Sequence, residues 1–197
     1  MPELVAGLDR AAAAEAAAVA LAVAYLVLAI RQHVLCWLAA FVSSLIYLAV
    51  FFDARLYMES ALQLFYAAMA VYGYWQWTRG GGDATGLRIT RWPRRLHAFA
   101  VTGIVVASAA FGTLLSRTDA AFPYVDSFTT VAAIVTTYMV ARKVLENWAY
   151  WLVIDGVSVY VYRARGLELT ALLFALYLVL IIIGWRRWWL DWRASPA

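Results

Sequence analysis

Apolar residues fall along this chain in seven long runs, separated by short polar breaks and one long one. The runs cover about 11–30, 34–52, 57–77, 96–115, 122–140, 145–162 and 167–189. Most approach the roughly 20 residues an α-helix needs to cross a bilayer. The first is Ala-rich, with Glu15 near its start, and alanine adds little transfer energy. The breaks carry Arg31, Gln32 and His33, then Asp53 and Arg55, then Arg117 and Asp119, then Arg142 and Lys143, then Arg163 and Arg165. The long break runs from Thr78 to Arg95, with three glycines at 80–82 and four arginines around Pro93. Glycine loosens the backbone there and proline blocks helix continuation. The pattern predicts an all-α polytopic membrane protein of about seven transmembrane helices.

The stretch that starts at Asn147 and ends at Trp188 repeats an earlier one ending at Trp77. Trp37 pairs with Trp148, Leu56 with Leu167, Leu62 with Leu173, Tyr66 with Tyr177, Gly73 with Gly184 and Trp77 with Trp188, each pair 111 apart. Repeats of this kind in apolar chains point to transporters. The second and third runs match the sixth and seventh, so the plan is two parallel three-helix repeats joined by a linker helix. The predicted divisions are 1–77 for the first repeat, 78–115 for the loop and linker helix, and 116–197 for the second repeat and tail.

Composition supports the membrane reading. Of 197 residues, 65% are hydrophobic and 14% charged, against about 45–50% and 25% in soluble domains. The net charge of +4 comes from arginines at the ends of runs, where they set topology rather than bind nucleic acid. Arg10, Arg55, Arg117, Arg163 and Arg165 lie on one side, and the other eleven basic residues on the opposite side. The richer side is expected to be cytoplasmic, with the N-terminus outside and the C-terminus inside. The single cysteine, Cys36, excludes an internal disulfide or a cysteine-based metal site. The start of the chain is acidic and Ala-rich, without the basic region of a cleavable signal peptide. No metal or cofactor is expected. His33 and His97 lack partner spacing for a metal, and the glycines at 80–82 lack the following Lys-Ser or Lys-Thr of a phosphate-binding loop.

The polar residues inside apolar runs carry the candidate chemistry. Asp155 lies mid-run, and a buried ionisable group in a membrane helix usually has work to do. Trp148, Trp151 and Asp155 follow helical spacing. Two indoles leading to a carboxylate suit a flat cationic ligand; pairing of Asp155 with a neighbouring arginine is the alternative. Gln63 shares a face with Glu59 and Tyr66 and suits a substrate amide or hydroxyl, or an interhelical hydrogen bond. Ser43 and Ser44 sit near the repeat mate of Asp155 and suit close helix packing as readily as ligand. Tyr66 and Tyr177 are candidates for lining a path. Glu146 and Asn147 open the sixth run, where a helix N-terminus favours carboxylates. The last tryptophans, 185, 188, 189 and 192, read as interface anchors. A scaffold subunit without ligand would show Asp155 paired to arginine. An intramembrane enzyme would need a second catalytic group opposite Asp155, and none stands out.

The motifs ARK-x-x-ENW-x-x-W from Ala141, LQ-x-F-Y from Leu62 and YG-x-x-x-W from Tyr72, with FPYVDSF from Phe122, resemble the PnuC family of vitamin transporters over nearly the whole chain after the first run. The resemblance implies a SWEET-like three, one, three arrangement in a bacterial inner membrane. It implies facilitated diffusion of nicotinamide riboside, an NAD precursor, and a homo-oligomer, commonly a trimer. PnuT relatives carry thiamine, and others riboflavin. It further implies substrate contacts at Gln63, Asn147, Trp148 and Trp151. Asp155 and Ser43 fall where many nicotinamide riboside members carry Asn. The expected substrate site is a midplane one between the repeats, formed by Trp151, Asp155, Gln63, Trp148, Tyr66, Tyr177, Asn147 and Ser43.

Overall fold

A computed structural model describes residues 2–53, 57–81, 86–118 and 122–194, with the side chains of 2–12, 14–15, 57–59 and 169 outside that description. The Leu56 pairing, the positions of Arg10, Arg55 and Asp119, and the side chains of Glu15 and Glu59 therefore lie outside the described residues. The described residues form seven helices: α1 (Pro2–Ile30), α2 (Leu35–Asp53), α3 (Tyr57–Arg79), α4 (Arg94–Leu115), α5 (Pro123–Ala141), α6 (Asn147–Ala164) and α7 (Glu168–Ala194). Among the described residues α2, α4, α5 and the Thr170–Ala194 part of α7 are long and apolar enough to cross a membrane. The apolar part of α1 is shorter, Ala16–Ile30. Polar residues such as Gln63 and Gln76 in α3, and Asn147 and Asp155 in α6, dilute the other two.

Most helix ends fall within two residues of the hydrophobic runs. Alanine is the strongest helix former, and α1 reaches back beyond its apolar part to Pro2. At the other end α7 runs on to Ala194, where a basic tail was expected. One helical turn links Trp189 to Arg193, and the guanidinium lies 4.7 Å over the indole, a cation–π contact that favours the extra turn.

Contacts divide the chain into two units, Met1–Leu87 and Arg88–Ala197. In the first, α2 packs against both α1 and α3. In the second, α6 packs against both α5 and α7, and α4 packs on α5.

The two units repeat the same local solutions. Both the α1–α2 and the α5–α6 connections begin with a non-glycine residue in the left-handed region, Gln32 at φ 54° and Lys143 at φ 48°. The amide of Gln32 donates to Ala29 and that of His33 to Leu28, at 3.0 and 2.9 Å. Lys143 donates to Val140 and Val144 to Met139, each at 2.9 Å. This paired closure satisfies carbonyls that a helix end otherwise leaves open. Every residue in the second set lies 111 after its counterpart in the first.

The cores repeat as well. Trp37 meets Trp77 edge-on, with ring centroids 5.4 Å apart at 86°. Trp148 meets Trp188 in the same way, at 5.4 Å and 88°. A Cβ on Gly73 would run into the six-membered ring of Trp37, and one on Gly184 into that of Trp148. Glycine is needed at both positions because the indole occupies the space a side chain would take. The pairing read from sequence thus corresponds to a shared packing device.

Helix α4 buries a narrow stripe, Ile104, Ser108 and Gly112, with the Tyr124 side chain filling the space beside Gly112. Small residues at this spacing let membrane helices approach closely. Much of the rest of α4 is exposed, including Phe99, Val105, Val106 and Phe111. The segment ahead of it differs from the loose linker expected. Thr90 forms a short parallel bridge with Val144: its amide donates to Lys143 at 3.0 Å, and its carbonyl accepts from Leu145 at 2.8 Å. The Glu146 carboxylate then accepts from Arg91 at 2.6 Å and from the Trp92 amide at 3.3 Å.

Candidate functional site

Helix α6 carries the strongest candidate group. Asp155 is only 6% exposed. Among the described residues, no hydrogen bond or ion pair reaches its carboxylate. Leaving a polar group buried without a partner costs about 1–3 kcal/mol, and more if it is charged. The arginine pairing that a ligand-free scaffold would show is therefore missing among the described contacts. One turn on, the Ser158 hydroxyl donates to the Ile154 carbonyl at 3.0 Å, so it satisfies itself within the helix.

Next to Asp155, Gly156 leaves open space: a Cβ there would meet nothing within 4 Å. Gly156 opens on a hollow of about 510 Å³ that is also lined by Val159, Tyr160 and Arg163. A far smaller pocket, about 40 Å³, lies between α5 and α6 beside Ser158. There Arg165 pairs with Asp126 at 3.3 Å.

The two tryptophans of α6 do different work. Trp148 is 2% exposed and wedged between Gly184 and Trp188, so its ring holds α6 to α7. Trp151 is partly buried against the cluster of Ile104, Ala132 and Ile154, and part of its surface remains accessible. Helical spacing alone did not separate these roles. Asn147 is fully buried; its side-chain amide donates to the Val144 carbonyl at 2.6 Å, and its side-chain oxygen has no partner.

Tyr177 packs edge-on against Phe174 at 5.6 Å, and Phe174 stacks on Tyr162 at 5.2 Å. In the first unit, Gln63 and Tyr66 are partly buried on α3, with Tyr66 beside Phe65 at 5.6 Å. Ser43 is buried and donates to the Ala18 carbonyl at 3.1 Å, a bond that ties α2 to α1.

Sequence reasoning missed the clasp around Glu146. Besides Arg91 and the Trp92 amide, the His97 Nε2 atom lies 3.9 Å from this carboxylate. The His97 Nδ1 atom is 3.0 Å from the Tyr150 hydroxyl, and the two rings stack at 5.8 Å. Arg91 also lies over the Trp192 ring at 5.2 Å. These partners come from three separate stretches of chain, so no local motif could announce them. Among the described residues no cluster of His, Cys, Asp or Glu could hold a metal.

Among the described residues, seven helices, a repeated packing core and a buried carboxylate that no described residue pairs with fit the class of polytopic membrane transporters. The profile of the family described as nicotinamide mononucleotide transporter matches residues 12–190, and the chain belongs to this family, the one that includes PnuC. The riboflavin/roseoflavin transporter RibM of Streptomyces davaonensis is 31% identical over 85% of this chain and 80% of its own length. The nicotinamide riboside transporter PnuC of Escherichia coli is 26% identical over 71% of this chain and 69% of its own. A crystal structure titled as that of the vitamin B3 transporter PnuC aligns with a TM-score of 0.73 at 19% identity, covering 98% of this chain and 88% of that one. That likeness shows the fold. The relatives are transporters of vitamins, and the chain is a multi-pass membrane transporter, not an enzyme.

Proposed function

We propose that this protein takes up nicotinamide riboside by facilitated diffusion, with Asp155 balancing the positive charge of the nicotinamide ring. The observation that supports the reading is the buried Asp155 side chain, which no described residue hydrogen-bonds or pairs with, one turn from the partly accessible Trp151. A cationic aromatic ligand relieves an unpaired carboxylate, and an indole face attracts the same cation. Gln63, Tyr66 and Tyr177 offer polar groups for an amide and ribose hydroxyls. Asn147 offers its unpaired side-chain oxygen, and Trp148 positions α6 rather than stacking the ring. Ser43 serves packing first. The basic side, which carries the linker, faces the cytoplasm of a bacterial cell by the positive-inside rule, and the protein works as a homo-oligomer.

A second reading, riboflavin uptake, is favoured by the higher identity to RibM. Riboflavin is neutral and gains less from a carboxylate. Side-by-side calorimetry of the purified protein with nicotinamide riboside, thiamine and riboflavin decides between them. The proposal expects nicotinamide riboside to bind, with Asp155→Asn weakening it about thirtyfold, as befits the loss of about 2 kcal/mol in a charge-assisted contact. Riboflavin binding that survives the substitution would overturn it. Thiamine preference lost on the same change would move the substrate while keeping the role of Asp155.

A further inference from the structure

A groove of about 490 Å³ runs along the second unit between α4 and α6, with α5 at its floor. Its walls are apolar over most of its length, with Val101, Val105 and Phe128 on one part and Ala149 and Val153 on the other. Its polar groups, His97, Glu146 and the Tyr150 hydroxyl that meets His97, lie at one end. The charge around that end is basic. Among the described residues lining the groove, Glu146 is the one carboxylate, and Arg91 already holds it at 2.6 Å. Arg94 lies one turn before His97 on the same face of α4, and both Arg94 and Arg95 are exposed. Arg88 is exposed as well, at the start of the same basic run.

An apolar trough with an unneutralised basic mouth matches an amphiphile with an anionic head. We propose that this groove is a specific site for an anionic phospholipid, its acyl chain lying between α4 and α6 and its phosphate at Arg94. Basic pockets between membrane helices suit such headgroups, and each arginine near a membrane surface contributes about 1 kcal/mol to anionic lipid binding. A second copy of the chain fits less well. In an assembly about the membrane normal the basic ends of neighbouring copies lie at one depth, and like charges would meet. The site lies outside the substrate reading and stands whichever vitamin is carried.

The test uses the full-length protein, stripped of lipid in detergent, and native mass spectrometry with phosphatidylglycerol or phosphatidylcholine of matched chains. Phosphatidylglycerol should be retained at lower concentration than phosphatidylcholine. Arg94→Gln should weaken its retention about fivefold, whereas Arg95→Gln, on the other side of α4, should leave it within about twofold. Val153→Trp, at an exposed groove wall, should displace it without touching the arginines, and an unchanged melting curve would show that the variant folds. Equal retention of the two lipids would overturn the proposal, as would retention unaffected by Val153→Trp or competition by inorganic phosphate alone. A Val153→Cys variant that cross-links between copies in liposomes would show the groove covered by a second chain, and would also overturn it.

Discussion

Replacing Gly184 by alanine places a methyl group 2.5 Å from Cη2 of Trp148 and 2.7 Å from its Cζ2 and Cζ3 atoms. Carbon atoms rest at about 3.5–4.0 Å, so about 1 Å of room must be found. The indole cannot supply it freely, because Trp148 is 2% exposed and is backed by the fully buried Trp188. Overpacking of this kind costs about 1–3 kcal/mol. A 2.5 Å approach belongs to the upper half of that range, about 2–3 kcal/mol; alanine returns about 1 kcal/mol through better helix propensity, which leaves a net loss of about 1–2 kcal/mol. Reversible unfolding in mixed detergent should show that loss for Gly184→Ala, and a similar one for Gly73→Ala against Trp37. Trp148→Phe removes the outer ring atoms that the methyl strikes. The double variant should therefore lose less than the sum of the singles, by about 1 kcal/mol or more. A Gly184→Ala protein as stable as the parent, or strictly additive losses, would refute the claim that each wedge holds its own pair of helices together.

Further outcomes follow from other contacts. Ser43→Ala loses the bond to Ala18 and should cost about 0.5–1.5 kcal/mol of stability with the transport KM unchanged; a raised KM at unchanged stability would make Ser43 a substrate contact instead. Glu146→Ala releases Arg91 and the Trp92 amide, so trypsin should cut at Arg88 and Arg91 faster than in the parent, and unchanged cleavage would show that the Thr90 bridge suffices. Gln32→Gly relieves a left-handed glutamine and should raise stability by about 0.5–1 kcal/mol; a loss would mean that the side chain contributes more than the strain costs.

Much of this fold was legible because membrane helices advertise themselves: the bilayer demands long apolar runs, and arginines and aromatics mark where they stop. The repeat was legible because Gly73 and Gly184 must be glycine wherever Trp37 and Trp148 lie against them. Spacing could not show which way an indole turns, and so Trp148 and Trp151 read as one aromatic face. The helix ends before Gln32 and Lys143 were legible, but their left-handed closures were hidden because neither residue is the glycine that usually marks one. The linker read as loose from its glycines, yet from Gly86 onward it is tied by Thr90 and Arg91 to residues more than fifty positions away. Asp155 stood out in the sequence because a carboxylate in an apolar run is costly, and that no described residue pairs with it became visible only in three dimensions.

The most direct test of the central claim is uptake of labelled nicotinamide riboside into liposomes that hold the purified protein as their only protein. The account predicts saturable entry that stops when inside and outside concentrations match, needs no ion gradient, and falls at least tenfold at subsaturating substrate in Asp155→Asn. Entry no faster than into empty liposomes, or entry at the parental rate in Asp155→Asn, would contradict it.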